Sequence, residues 1–307
     1  MSREHGQPPG RDGKIPPWAR KTLVLKDLHR TKSGLRGSSL SSVCEEARCP
    51  NITECFSKPC ATFLILGGVC TRSCGFCSVR KGEPAPPDAS EALLLARAAS
   101  RMGLRHVVIT SVTRDDLPDR GAGAFASAVR TVKDRLPEAS VEVLVPDFSG
   151  DRELVCAVLG EGPDVFNHNV ETVERLYPSV RPQASLETSL GVLKTARERS
   201  PDVIVKSGFM LGLGEEENEV ADLLKRLSGA GCDVVTMGQY LRPSRGQLPV
   251  RRYWRPEDFE RLSDLAKKAG IRYVVAGPLV RSSYRAREIL EVILEDRRRA
   301  CPDDFAR

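Results

Sequence analysis

Seven of the ten cysteines fall between Cys44 and Cys77. They form two triplets of unlike spacing, with Cys60 between them. Cys44, Cys49 and Cys55 are separated by four and five residues. Cys70, Cys74 and Cys77 are separated by three and two, in the run CTRSCGFC. A stretch so rich in soft thiolate ligands is organised around metal. Two unlike triplets point to two unlike clusters.

The chain around them has 307 residues, enough to bury one large αβ core. Apolar residues make up 40% and charged residues 29%, as in ordinary soluble proteins. The net charge is +6, with the arginines dispersed apart from Arg297, Arg298 and Arg299. No basic stripe is interleaved with aromatics, so no nucleic-acid partner is predicted; an acidic protein partner fits the charge. No run of 18 apolar residues occurs, so no membrane span is predicted. Residues 1–20 have no apolar core segment of a secretory signal and read as a flexible lead-in. The expected location is the cytoplasm, where clustered cysteines favour metals over disulfides.

Residues 21–60 carry the first triplet and no clean periodicity, and read as a loop-rich, metal-held extension. From residue 61 the texture changes. Residues 61–66 (ATFLIL), 106–110 (HVVIT), 141–145 (VEVLV), 165–170 (VFNHNV), 203–210 (VIVKSGFM) and 234–238 (VVTMG) read as strands. Helical patterns lie between them. One covers residues 90–101, with Ser90 as its cap; another carries Val220, Leu223, Leu224 and Leu227 on one face; a third starts at Pro256 and carries Phe259, Leu262, Leu265 and Ala266. Six strand–helix pairs predict a parallel sheet curled into a partial (βα)6 barrel over residues 61–270. Its active site belongs at the carboxyl ends of the strands. Residues 271–307 form a C-terminal extension, with a late strand at 273–276 and a helix near 284–299.

The second triplet directly follows the first strand, which puts it in a loop at that active end. Three cysteines on one loop can hold three irons of a four-iron four-sulfur cluster and leave the fourth iron open. A structural zinc would need a fourth protein ligand, and the four histidines, His5, His29, His106 and His168, are all distant in sequence.

CxxxCxFC after the first strand of a βα barrel resembles the radical S-adenosylmethionine (SAM) superfamily, with Phe76 in the aromatic place before the third cysteine. The resemblance implies that the open iron binds SAM, whose reductive cleavage gives a 5′-deoxyadenosyl radical. The first triplet and the terminal run RSSYRA (281–286) narrow this to the lipoyl synthase family. So do ITSVTRDDLPDRGAGAFA (109–126), FNHNVETVERLYPSVRP (166–182), KSGFMLGLGE (206–215), GQYLRPS (238–244) and VRRYWRPEDF (250–259). Other two-cluster sulfur-inserting enzymes, such as biotin synthases and methylthiotransferases, space their auxiliary ligands differently. A zinc or iron–sulfur protein that binds nucleic acid is the non-enzyme alternative.

The resemblance implies the insertion of two sulfur atoms at carbons 6 and 8 of a protein-bound octanoyl-lysine. It implies SAM and two 4Fe–4S clusters as cofactors, the auxiliary cluster being the sulfur donor. The implied partners are an octanoylated lipoyl-accepting domain (of a 2-oxoacid dehydrogenase acyltransferase subunit or the glycine cleavage H protein) and an electron donor such as flavodoxin or ferredoxin. Cys70, Cys74 and Cys77 then hold the radical SAM cluster, and Cys44, Cys49, Cys55 and Ser283 the auxiliary one. A serine oxygen is a harder ligand than thiolate, which suits a cluster that must be dismantled. From the residues alone, Ser282 and Ser283 before an apolar helix read as an N-cap, and the choice between the two serines stays open.

Asn169 and Glu171 resemble residues that hold the SAM ribose. Ser111 is a candidate for the amino-acid moiety of SAM. Lys206, inside the fifth strand, must face a polar cavity or a partner. It contacts the SAM carboxylate or forms an internal salt bridge. Arg281 approaches the substrate linkage or pairs with a carboxylate. Cys60 reads as a spare ligand, a reactive thiol or a small buried residue; Cys156 and Cys232 read as core residues, and His106 and His168 as hydrogen-bonded structural ones.

Overall fold

Each apolar run of the sequence becomes a strand, because β-branched residues pack well on a pleated surface. The computed structural model describes residues 15–20, 41–42, 46, 51 and 61–300. Among them the main sheet has eight strands in the order β1 (Ser41–Ser42), β2 (Thr62–Ile65), β5 (His106–Ser111), β6 (Ser140–Leu144), β7 (Val165–Asn167), β8 (Ile204–Leu211), β9 (Val234–Gln239) and β10 (Tyr273–Gly277). All neighbours from β2 to β10 are parallel, and β1 is antiparallel to β2. A small parallel pair, β3 (Val69–Cys70) and β4 (Arg80–Lys81), stands apart.

The partial barrel expected from the sequence is therefore present. The late strand, which the sequence assigns to a C-terminal extension, joins the same sheet as β10 beside β9. Of the lead-in, residues 17–19 form a 3-10 turn with Ala19 buried. The strand expected over 165–170 is shorter. After Asn167 the His168 N–H still donates to the Lys206 carbonyl at 3.1 Å, the chain then leaves the ladder, meets β8 again at the bridge Glu171–Phe209, and holds Glu171 at a φ of +67°.

The helices are α1 (Glu91–Arg101), α2 (Ala122–Arg135), α3 (Arg152–Leu159), α4 (Tyr177–Val180), α5 (Leu186–Arg199), α6 (Glu217–Gly229), α7 (Pro256–Lys268) and α8 (Ala286–Ala300). Alternate strand residues such as Phe63, Val107, Val141, Phe166, Val205 and Val235 share one core with Leu95, Phe125, Val155, Leu193, Leu223 and Leu262 of the helices. Burying such a side chain contributes roughly 1.5–3 kcal/mol. Ser90 precedes α1 but makes no cap bond. Its hydroxyl donates instead to Asp88 at 2.8 Å.

The intervening positions carry a different set. Val165, Ile204 and Val234 pack against Leu290 and Ile293 of α8. On the same alternation lie His106, Glu142, Asn167 and Lys206, which bond to one another. This face is thus apolar where α8 covers it and polar further along the strands. The period-2 pattern dictates that division: one set of positions faces the helices and the other faces the barrel interior.

Candidate metal and cofactor site

The loop that carries the second triplet leaves β2 through Leu66 and Gly67, both in left-handed backbone (φ +66° and +81°). Cys70 ends β3, and its sulfur accepts from the backbone N–H of Thr113 at 3.3 Å and of Arg72 at 3.5 Å. Arg72 is buried and forked. Its Nε and Nη2 donate to the two oxygens of Asp115 at 2.7 and 2.9 Å, and its Nη1 donates to Asp147 at 2.6 Å. The residue between two of the cysteines therefore ties their loop to the ends of β5 and β6. Such bidentate charge-assisted bonds fix geometry as well as energy.

The other half of the loop is held as firmly. Ser73 donates to Gln183 through its N–H at 2.7 Å. The Gly75 N–H donates to the Val180 carbonyl at 2.9 Å, and its own carbonyl accepts from Leu248 N–H at 2.9 Å. A Cβ at Gly75 would lie 2.9 Å from the Leu248 side chain and 3.0 Å from the Ser179 carbonyl, so only glycine threads this gap. Phe76 packs beside Val180, Leu213 and Tyr240. The Cys77 carbonyl accepts from Gln247 Nε2 at 3.3 Å.

The three thiols lie close enough to influence one another's ionisation. Burial pushes Cys77 up to about 11, and it also raises Cys74. Both therefore remain neutral at neutral pH until a metal displaces the proton. Among the described residues no three Cys, His, Asp or Glu side chains gather tightly enough to hold one ion. Thiolates around a four-iron cube occupy separate corners, so three thiols on one loop suit such a cluster, whereas a structural zinc wants four protein ligands.

Next to this loop lie the polar groups at the other strand ends. The Ser111 hydroxyl, at the end of β5, is buried and without a partner among the described residues. Asn169 Nδ2 donates to Glu171 at 3.0 Å. Burial raises the Glu171 carboxyl, while Arg181, Asn169 and Arg281 pull it down. Arg181 donates to the Asn169 and Val170 carbonyls at 3.0 and 3.3 Å, which secures the irregular backbone after β7. An unmatched buried hydroxyl and a strained acidic residue at a barrel mouth are the kind of groups a bound cofactor satisfies.

Lys206 has an internal partner. Its ammonium donates to Glu142 at 2.8 Å, both groups being at most 2% exposed. Of the two alternatives in the sequence, the structure holds the internal salt bridge. Buried charges pair because an unpaired one is costly. His106 and His168 are structural: His106 bonds Ser140 at 2.8 Å, and His168 Nδ1 donates to the Val145 carbonyl at 2.9 Å. Cys232 is a buried core residue and Cys156 is half-buried on α3.

The serine pair does not cap α8. That helix begins at Ala286, whereas Ser282 bonds Asn167 and Asn169 and Ser283 accepts from Thr62 Oγ1 at 3.0 Å. Arg281 Nη1 donates to the Val280 carbonyl at 2.6 Å. Cys44, Cys49, Cys55 and Cys60 lie outside the described residues. Two residues amid the first triplet are described. The Glu46 carbonyl accepts from the Ser78 hydroxyl at 2.7 Å, one residue past Cys77. Asn51, fully buried, donates to the Leu279 carbonyl at 2.5 Å, four residues before Ser283.

Sequence reasoning missed Arg72, Asp115, Asp147, Gln183, Gln247 and Asn51. Arg72 and Asn51 carried a positional signal, since each sits between two cysteines of one triplet. The others are brought in by the fold alone.

A parallel partial barrel with a three-cysteine loop at its carboxyl end defines a radical SAM enzyme. The radical SAM superfamily profile matches residues 64–227. In overall shape the chain is similar to methylornithine synthase, with a TM-score of 0.54 at 17% identity over 83% of this chain and 82% of that one, a likeness of fold alone. The narrower assignment comes from sequence. The lipoyl synthase of Rubrobacter xylanophilus is 51% identical over 92% of this chain and 88% of that protein. That of Caldanaerobacter subterraneus is 50% identical over 88% of this chain and 95% of that protein. The chain belongs to the lipoyl synthase family.

Proposed function

We propose that this chain completes the lipoyl cofactor in place, inserting two sulfur atoms at carbons 6 and 8 of an octanoyl-lysine carried by an acceptor protein. SAM and two 4Fe–4S clusters are its cofactors. When bound, they supply a radical able to take hydrogen from unactivated C–H bonds, and the sulfur that replaces it. What remains for the protein is to hold, orient and keep dry the reacting groups.

Cys70, Cys74 and Cys77 hold the radical SAM cluster, and the bonds of Arg72, Gln183 and Leu248 keep their loop rigid. Phe76, Ser111, Asn169 and Glu171 line the SAM position. Cys44, Cys49, Cys55 and Ser283 hold the auxiliary cluster, and Arg281 meets the acceptor's substrate linkage. The observation that carries this reading is where two residues of the cysteine-rich extension make contact. Glu46 and Asn51, from the first triplet, bond Ser78 beside the radical loop and Leu279 beside Ser283. Sulfur insertion needs the donor next to the radical, and those two contacts support that arrangement.

The acceptor is a lipoyl-accepting domain, of a 2-oxoacid dehydrogenase acyltransferase subunit or of the glycine cleavage H protein. The electron comes from a flavodoxin or ferredoxin. The setting is the cytoplasm, where thiols stay reduced for cluster assembly. Among the described residues no helix is long and apolar enough to cross a membrane.

The test is iron analysis of anaerobically reconstituted protein and its Cys49→Ala variant. The wild type should hold about eight irons per chain and the variant about four. The variant should still cleave SAM but add no sulfur to an octanoyl peptide. Equal iron in the two proteins would refute the assignment.

A further inference from the structure

Two adjacent serines follow β10, and they face different partners. The Ser282 hydroxyl donates to Asn169 Oδ1 at 3.0 Å and accepts from Asn167 Nδ2 at 2.8 Å. Asn167 Nδ2 also donates to Glu142 at 3.0 Å, and Glu142 accepts from Lys206 at 2.8 Å. Asn167, Glu142 and Lys206 are at most 2% exposed. A continuous buried polar column thus runs from the barrel interior to the Ser282 side chain. Ser283 is left to Thr62, at the start of β2. On the third side, a Cβ at Gly238 would lie 2.1 Å from the Val280 carbonyl, so β9 meets this segment without space between.

Ser282 and Ser283 offer chemically identical hydroxyls, so chemistry alone cannot choose which one reaches a metal. Register can. A one-residue slip would send the wrong side chain inward and cost the buried Asn167 amide one of its two acceptors, an outcome buried polar groups resist. We infer that Ser282 is a positioning residue. Its paired bonds to Asn167 and Asn169 lock the register of residues 279–285 and thereby present the Ser283 hydroxyl to the auxiliary cluster. The inference rests on the reading of Ser283 as that cluster's fourth ligand. It assigns a use to the Glu142–Lys206 pair as well, which fixes Asn167 from below.

The test uses the full chain, reconstituted anaerobically, as wild type, Ser282→Ala and Ser282→Thr. Two quantities are read: iron per chain, and amide hydrogen exchange of residues 279–285. Ser282→Ala should exchange that segment about tenfold faster and fall from about eight irons to about four, the Cys70–Cys77 cluster being retained. Ser282→Thr keeps the hydroxyl and should restore both. Wild-type exchange and full iron in Ser282→Ala would overturn the inference. Halved iron with unchanged exchange would overturn it too, because Ser282 would then be a ligand. A wild type with only about four irons would instead refute the two-cluster reading itself, and this inference with it.

Discussion

His168 and Glu142 are both buried titratable groups, but they respond to acid in different windows. Burial and the nearby Arg181 push His168 down to about 4, so it stays neutral in the fold. The unfolded chain takes up a proton near 6.5. Between those values the unfolded state binds more protons, so stability rises with pH and is lost as pH falls from 6.5 toward 4. Burial alone would raise Glu142, but Lys206 and His106 outweigh it and hold it at about 2. Its contribution is complete above its ordinary 4.5 and fails only as pH falls through that lower value. Cluster-free protein should therefore lose about 2 kcal/mol between pH 7 and 5, read from urea midpoints. His168→Gln should flatten that slope, and an unchanged slope would deny His168 the role. At this scale the sequence was only partly legible. The cysteines announce themselves by spacing. Lys206 does not reveal its partner, because Glu142 lies 64 residues away and only the parallel register brings them together.

The cluster loop is the element on which the site depends, and its rigidity comes from contacts at a distance. Glycine at 75 is required by close approach: a methyl there would press on Leu248 and the Ser179 carbonyl. Gly75→Ala should cost about 1–3 kcal/mol by overpacking and loosen the loop. The expected result is selective loss of the Cys70–Cys77 cluster, read by visible absorbance and iron content, with the rest of the fold retained by circular dichroism. Full retention of iron would show that the loop adapts. The strands and helices were legible because their periodicities of two and 3.6 are written locally. The irregular stretch after Asn167 was not. Val170 keeps the run looking like strand after His168 and Asn169, yet Arg181 bonds the Asn169 and Val170 carbonyls and the backbone leaves the ladder. Likewise Ser90 stands where a cap belongs but bonds Asp88, a competition between local hydrogen bonds that composition does not settle.

At the scale of the whole molecule, two described residues from the cysteine-rich extension make distant contacts. Asn51 reaches Leu279 across 228 residues, and Glu46 reaches Ser78. A sequence gives the ligand types of both triplets, and the family likeness supplies their pairing. Only the folded chain shows that residue 46 meets the segment just past Cys77 and that residue 51 meets the segment just before Ser283. Radical and sulfur source must meet over one substrate, and the proposed ligand sets meet that need if these contacts bring them together. The most direct measurement is mass spectrometry of an octanoyl-lysine peptide after anaerobic incubation with the reconstituted protein, SAM and dithionite. The predicted product has gained two sulfur atoms and lost the two hydrogens they displace. Release of 5′-deoxyadenosine with the peptide unchanged would contradict the account.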